Sequence, residues 1–268
     1  MLTTIILISA IGFYLLASYW MAIRLYQPQT SVPTSKTKIL LSGLLAATFH
    51  AYVLFGNIWL DTGLNFGFFN AASLTAWLTV VLILLTGITN PVDSLILLLL
   101  PLASTLLALE AFFPTYGIIL QHSSWQLDTH IFLSITAFSF LVIAVLQGLL
   151  LAMLDRQLKS RSFSSVARKL PPLETMEILL FRFIGVGFFL LSLALISGVA
   201  FLEDIFAQHL VHKTVLSIIA WLVFAVLLYG RWRYGWRGAI ALRWTYSGFL
   251  SLALAYFGSK FVLDLILK

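Results

Sequence analysis

The chain contains no cysteine. That excludes a thiol–disulfide oxidoreductase, a Cys-ligated cluster and a haem attached covalently through C-x-x-C-H. Charge is also scarce. Asp, Glu, Lys and Arg make up 10% of 268 residues, against ~25% in soluble domains. There is no Gly-rich phosphate loop and no G-x-S-x-G elbow, so a nucleotide-driven pump or a serine hydrolase has no support. The H-E-x-x-H zinc pattern is missing as well. The acids near His209 and His212, Glu203 and Asp204, precede that pair rather than lying within it. No repeat is clear enough to suggest an inverted-repeat transporter.

What fills the chain instead is apolar. Hydrophobic residues reach 61%, against ~45–50% in soluble domains. The pattern predicts an all-α, polytopic membrane helix bundle of about eight transmembrane helices, built as a single transmembrane domain over 1–268. The stretch from His212 to Gly238 sets its orientation. It begins with His209, His212 and Lys213, and its uncharged run of ~17 residues is near the minimum for ~30 Å of hydrocarbon. It ends in Arg231, Trp232, Arg233, Tyr234, Trp236 and Arg237. Basic residues mixed with Trp and Tyr suit a cytoplasmic membrane interface, so this end is read as inside and as an anchor for anionic lipid.

The other spans follow. They are read at 2–23, 39–60, 68–86, 94–112, 130–154, 178–202 and 240–266, with both termini outside. Pro101 is expected to kink its span. The segment 113–128 is apolar enough to lie along the outer surface. The segment 155–177 is hydrophilic and reads as a mobile inner loop. Of 16 Lys and Arg, all but Lys213, Lys260 and Lys268 then fall inside. The formal charge of +6 is thus explained by the positive-inside bias, with no need for nucleic acid.

Histidine placement is the chemical signal. His122, His130, His209 and His212 lie at the outer side, and His50 lies in mid-membrane. Neutral imidazole is an axial ligand for haem iron and a common metal ligand, and the many Phe and Trp could form an apolar slot for a porphyrin. Most outer histidines in membrane proteins are ordinary interfacial residues. An ionisable residue within the membrane is by default a functional candidate. Gln147, Asn70 and Glu110 read as helix–helix contacts rather than as a proton relay.

Three stretches are RFIGVGFFLLSLALISGVAF, HKTVLSIIAWLVFAVLLYGRWRYGWRG and YSGFLSLALAYFGSKFV. In this order they resemble the cytochrome c assembly family, the CcsA/CcmC-type haem-handling membrane proteins. GLNFGFFNAASLTAWL and THIFLSITAFSFLVIAVLQGLLLAMLD extend the likeness to the first half and to the YpjD/HemX-like branch. The resemblance implies a haem-handling protein of the bacterial inner membrane, linked to cytochrome c assembly and working with other assembly proteins. It implies non-covalent b-type haem, a positioning role and no enzymatic activity. His130 matches the family's external histidine, an axial ligand.

The segment from Glu203 to Lys213 stands where the family has a Trp-rich loop, and it contains no Trp. The family's second external histidine has no counterpart. The expected site is an outer pocket between spans five, six and seven, with span two as an optional fourth wall. His130 is the first ligand, and the second comes from His212 or His209. Lys213, the basic residue of the external loops, would face a propionate. His50, roughly 15 Å deeper, would mark a separate position. The alternatives are a haem-free structural or partner-binding subunit and a small-solute transporter.

Overall fold

The computed structural model describes residues 1–26, 35–60, 63–113, 119–120, 125–160, 170–201 and 211–258. Among these, eight α-helices dominate: α1 (Leu2–Tyr26), α2 (Lys36–Ile58), α3 (Phe68–Thr89), α4 (Asp93–Phe112), α5 (Trp125–Ser160), α6 (Leu173–Phe201), α7 (Val211–Tyr234) and α8 (Gly238–Ala253). The chain is a polytopic helical membrane bundle, and seven of these helices are long and apolar enough to cross a bilayer. α8 is shorter, but a π-helical turn over Leu254–Gly258 extends it. Residues 259–268, the last part of the expected eighth span, lie outside the described residues, as do 161–169 of the expected inner loop.

Two boundaries need correction. The expected inner loop 155–177 is helical at both ends, since α5 runs to Ser160 and α6 starts at Leu173. α5 starts at Trp125, so His130 stands in its second turn rather than at its first residue. Of the expected surface segment 113–128, Ile119–Leu120 is a strand and 125–128 open α5, while 114–118 and 121–124 lie outside the described residues. That strand, β3, pairs with β2 (Gly63–Asn65), which pairs in turn with β1 (Trp59–Leu60), all antiparallel. Strands this short leave no period-2 signal to read. Pro101 lies inside α4. Ser104 and Thr105 both donate to the Pro101 carbonyl, at 2.8 and 2.9 Å.

The helices group into two compact units, α1–α4 with the strands and α5–α8. In the first unit each helix packs on the next, and α4 packs back on α1. Cross-links set the helices antiparallel: Ser18 with the Leu97 carbonyl, Arg24 with Asp93, and Trp77 with the Ala47 carbonyl. Small residues bring the backbones together. A Cβ on Gly43 would stand 3.0 Å from Leu84, and one on Gly87 would stand 2.8 Å from Ile96. Close approach of this kind is how helices associate where lipid is as apolar as leucine.

The second unit repeats the ring, with α5 on α6, α6 on α7, α7 on α8 and α8 on α5. Gly187 faces Leu141, Gly148 faces Leu242, and Gly248 faces Phe224. Gln147 donates to the Met176 carbonyl at 3.0 Å, so its amide is a helix–helix contact as expected.

Candidate functional site

In the second unit His130 projects from α5 onto the last turns of α6. Its Nδ1 lies 3.0 Å from the Ala194 carbonyl and 3.1 Å from Ser197 Oγ. A carbonyl can only accept, so Nδ1 carries the hydrogen. Ser197 donates in its turn to the same carbonyl at 2.8 Å. That fixes the tautomer and leaves a lone pair on Nε2. Gly198 makes room for the ring, because a Cβ there would stand 3.2 Å from His130 Cε1. A backbone carbonyl holding one ring nitrogen while the other keeps its lone pair is the usual arrangement behind a metal-binding histidine. Sequence reading found His130 but not Ala194, Ser197 or Gly198. The small Ser-Gly pair near the end of an apolar run was the available signal.

His212 occupies the first turn of α7 and is exposed. Lys213 beside it is partly buried and already engaged within the protein. α5 and α7 both begin at the same end of this unit, since each packs antiparallel to α6. The structure thus brings His130, His212 and Lys213 to one end of one bundle. His209 and His122 lie outside the described residues. Further along α5, Phe138 is stacked by Tyr256 at 5.2 Å and flanked by Phe249 and Phe257 at 5.3 and 5.6 Å. The π-helical turn supplies Tyr256 and Phe257 to this aromatic wall. Among the described residues no group of three or more His, Asp or Glu could hold a bare metal ion.

His50 belongs to the first unit and is 0% exposed. Both of its ring nitrogens are taken. Tyr14 Oη lies 3.2 Å from Nδ1, and Ser73 Oγ lies 2.9 Å from Nε2. Within this arrangement it has no free nitrogen for iron. Tyr14 and Ser73 were not anticipated, because their separation from His50 in sequence hides the contact. Glu110 and Asn70 are indeed helix contacts. Asn57 donates to Glu110 Oε1 at 2.9 Å, and Asn70 donates to the Asn57 carbonyl at 3.4 Å and to the Asn65 carbonyl at 3.2 Å.

At the opposite end of the second unit, the Arg/Trp block is partly a structural lock. Arg231 lies over the Phe181 ring at 4.6 Å and donates to the Trp236 carbonyl at 3.2 Å. Arg237 pairs with Glu177 at 3.3 Å. Trp232, 81% exposed, remains as an interfacial side chain.

Comparison with known proteins places these helices. A family model described as "Cytochrome C assembly protein" matches residues 39–267. The chain is 33% identical over 229 residues to "Inner membrane protein YpjD" of Escherichia coli strain K12, covering 85% of this chain and 87% of that protein. It is 34% identical over 143 residues to an uncharacterized 28.8 kDa protein of Azospirillum brasilense, covering 53% of each. A shorter stretch of 91 residues is 31% identical to "Cytochrome c biogenesis protein CcsA" of Gloeobacter violaceus, covering 33% of this chain and 27% of that protein. No solved structure matches.

Proposed function

Because the chain belongs to the cytochrome c assembly protein family, we propose that it is an inner-membrane haem-handling protein, with a non-covalent b-type haem bound at the His130 end of the second unit. One observation carries the reading: the Ala194 carbonyl holds His130 Nδ1–H at 3.0 Å, which leaves Nε2 able to ligate iron. His130 is the first axial ligand, and His212 or His209 is the second. Lys213 offers a point charge to a propionate. The aromatic wall around Phe138 suits a porphyrin face.

Any redox chemistry belongs to the haem when it is bound. The residues of the chain would hold the haem in place, keep His130 in one tautomer and exclude water on the bundle side. Other cytochrome c assembly proteins are the partners this role calls for, with the histidine end on the outer face of the membrane. His50 stays outside the ligand set because its nitrogens are both engaged.

The test is the absorption spectrum of detergent-purified protein. Wild type should show a haem band. His130→Ala should abolish or shift it, His212→Ala should weaken it, and Lys213→Ala should lower affinity without changing ligation. Unchanged haem content in both His130→Ala and a His209/His212 double variant would overturn the site. A wild type purified without haem, and taking up none when haem is added, would favour a haem-free structural or partner-binding subunit.

A further inference from the structure

We propose that Glu110 in the first unit is a proton-binding site within the membrane, and that its occupancy decides which ring nitrogen of His50 carries hydrogen. The geometry is a line of polar side chains in an apolar bundle. Glu110 is 2% exposed. Its Oε1 accepts from Asn57 at 2.9 Å. The Ser73 hydroxyl stands against the same carboxyl, yet Oε2 is buried and meets no partner in hydrogen-bonding geometry. On the far side of Ser73 lies His50, and beyond it Tyr14, at the 2.9 and 3.2 Å already given. Ser73, His50 and Tyr14 are each fully buried.

A helix–helix contact alone does not account for this carboxyl. A carboxylate wants donors on both oxygens, and one of these oxygens has none. Among the described residues no cation compensates it either. On α1 the titratable group facing the bundle interior beside it is Tyr14, on α2 it is His50, and α3 has none. Arg24 and Lys36 sit at the other end of the bundle, paired with Asp93 at 3.4 and 3.1 Å. Asp93 and Glu110 are separated by roughly 25 Å along α4 at ~1.5 Å per residue. An uncompensated carboxylate in hydrocarbon costs several kcal/mol. A proton on the carboxyl removes the charge and gives the Ser73 hydroxyl a donor in place of an acceptor.

The hydrogens can then be counted. With Glu110 ionised, Tyr14 donates to His50 Nδ1, Nε2–H donates to Ser73, and Ser73 donates to the carboxylate. With one proton added, Glu110 donates to Ser73 Oγ. Ser73 then donates to Nε2, and Nδ1–H donates to Tyr14. The two states differ by that single proton; the protonated one costs the Tyr14 O–H its acceptor among the described residues, and the ionised one leaves a buried charge. His50 exchanges tautomer and stays neutral throughout. From Asn57 to His50 the line descends α2 by roughly 10 Å. It therefore carries a protonation event at the strand end of the unit toward its middle. This site does not rest on the haem reading.

The experiment uses full-length protein in lipid nanodiscs, with ¹⁵N-labelled histidine, and the His50 signal assigned through His50→Gln. Infrared difference spectra follow the carboxylic-acid C=O band in parallel. Lowering the pH should move the His50 hydrogen from Nε2 to Nδ1, in step with growth of an acid band that is absent in Glu110→Gln. In Glu110→Gln the amide mimics the protonated acid, so His50 should keep its hydrogen on Nδ1 at every pH. In Ser73→Ala the acid band should still titrate while the His50 tautomer stops following it. A His50 tautomer indifferent to pH in wild type, or an acid band unaffected by Glu110→Gln, would overturn the proposal. So would a tautomer change driven by sodium or potassium at constant pH, which would make the site one for a monovalent cation. If Glu110→Gln fails to fold, wild type beside Ser73→Ala still decides.

Discussion

A single imidazole can be held in one tautomer by its neighbours, and His130 illustrates how few are needed. The Ala194 carbonyl holds the tautomer, Ser197 bonds both to that carbonyl and to the ring, and Gly198 provides the space. These contributions separate by substitution. Ser197→Ala removes two neutral hydrogen bonds, to the ring and to the carbonyl, but leaves the carbonyl itself on Nδ1, so the cost should be about 1–2 kcal/mol and haem content should change little. Gly198→Val puts a branched side chain against Cε1, where a Cβ alone already stands at 3.2 Å. It should displace the ring and lower haem content several-fold, measured per mole of folded protein. An equal loss in the two variants would assign the orientation to Ser197 instead. Little of this was legible in the sequence. A histidine can be seen there, but the carbonyl that orients it is 64 residues away.

The helices themselves were far more legible, because ~20 apolar residues leave few alternatives in a bilayer. Their ends were less so. α7 runs past its uncharged core at both ends, from Val211 to Tyr234, since Trp, Tyr and Arg continue a helix readily at an interface. What stops it is Gly235, with φ +66°, whose N–H bonds the Arg231 carbonyl at 3.1 Å. That is a left-handed cap few other residues tolerate. The turn then folds Trp236 back over Gly230 and onto Trp244 at 5.6 Å. A Cβ on Gly230 would overlap the Trp236 ring. Gly230→Ala should therefore destabilise the protein by about 1–3 kcal/mol despite its better helix propensity. Gly12→Ala, which meets nothing within 4 Å, should be neutral or gain about 0.5–1 kcal/mol. Thermal unfolding in one detergent compares the two directly, and similar melting shifts would refute the lock. Hydropathy can show that a helix exists, but it cannot show which glycine receives a neighbouring ring.

Both units close as rings of four consecutive helices. Four crossings return a chain to the side it started from, so the topology depends on whether the shortest helix, α8, truly crosses. The packing gives an answer. Gly248 meets Phe224 in the middle of α7. Ser251 donates to the Leu216 carbonyl at 2.9 Å, and Leu216 lies in the second turn of α7. By Ser251, α8 has therefore climbed back along most of α7, away from the Arg/Trp turn, and its π-helical turn continues in the same direction. Arg231, Arg233 and Arg237 stay at that turn, while Arg24 and Lys36 gather at one end of the first unit. The positive-inside bias predicts that both groups face the cytoplasm. A topology reporter fused after Lys268 should then signal from the outer compartment, and one inserted near Ser164 should signal from the cytoplasm. If both signalled from one side, α8 would be a re-entrant or interfacial helix. If the two signals were exchanged, the histidine end of the second unit would face the cytoplasm, and a site there could not serve assembly on the outer face.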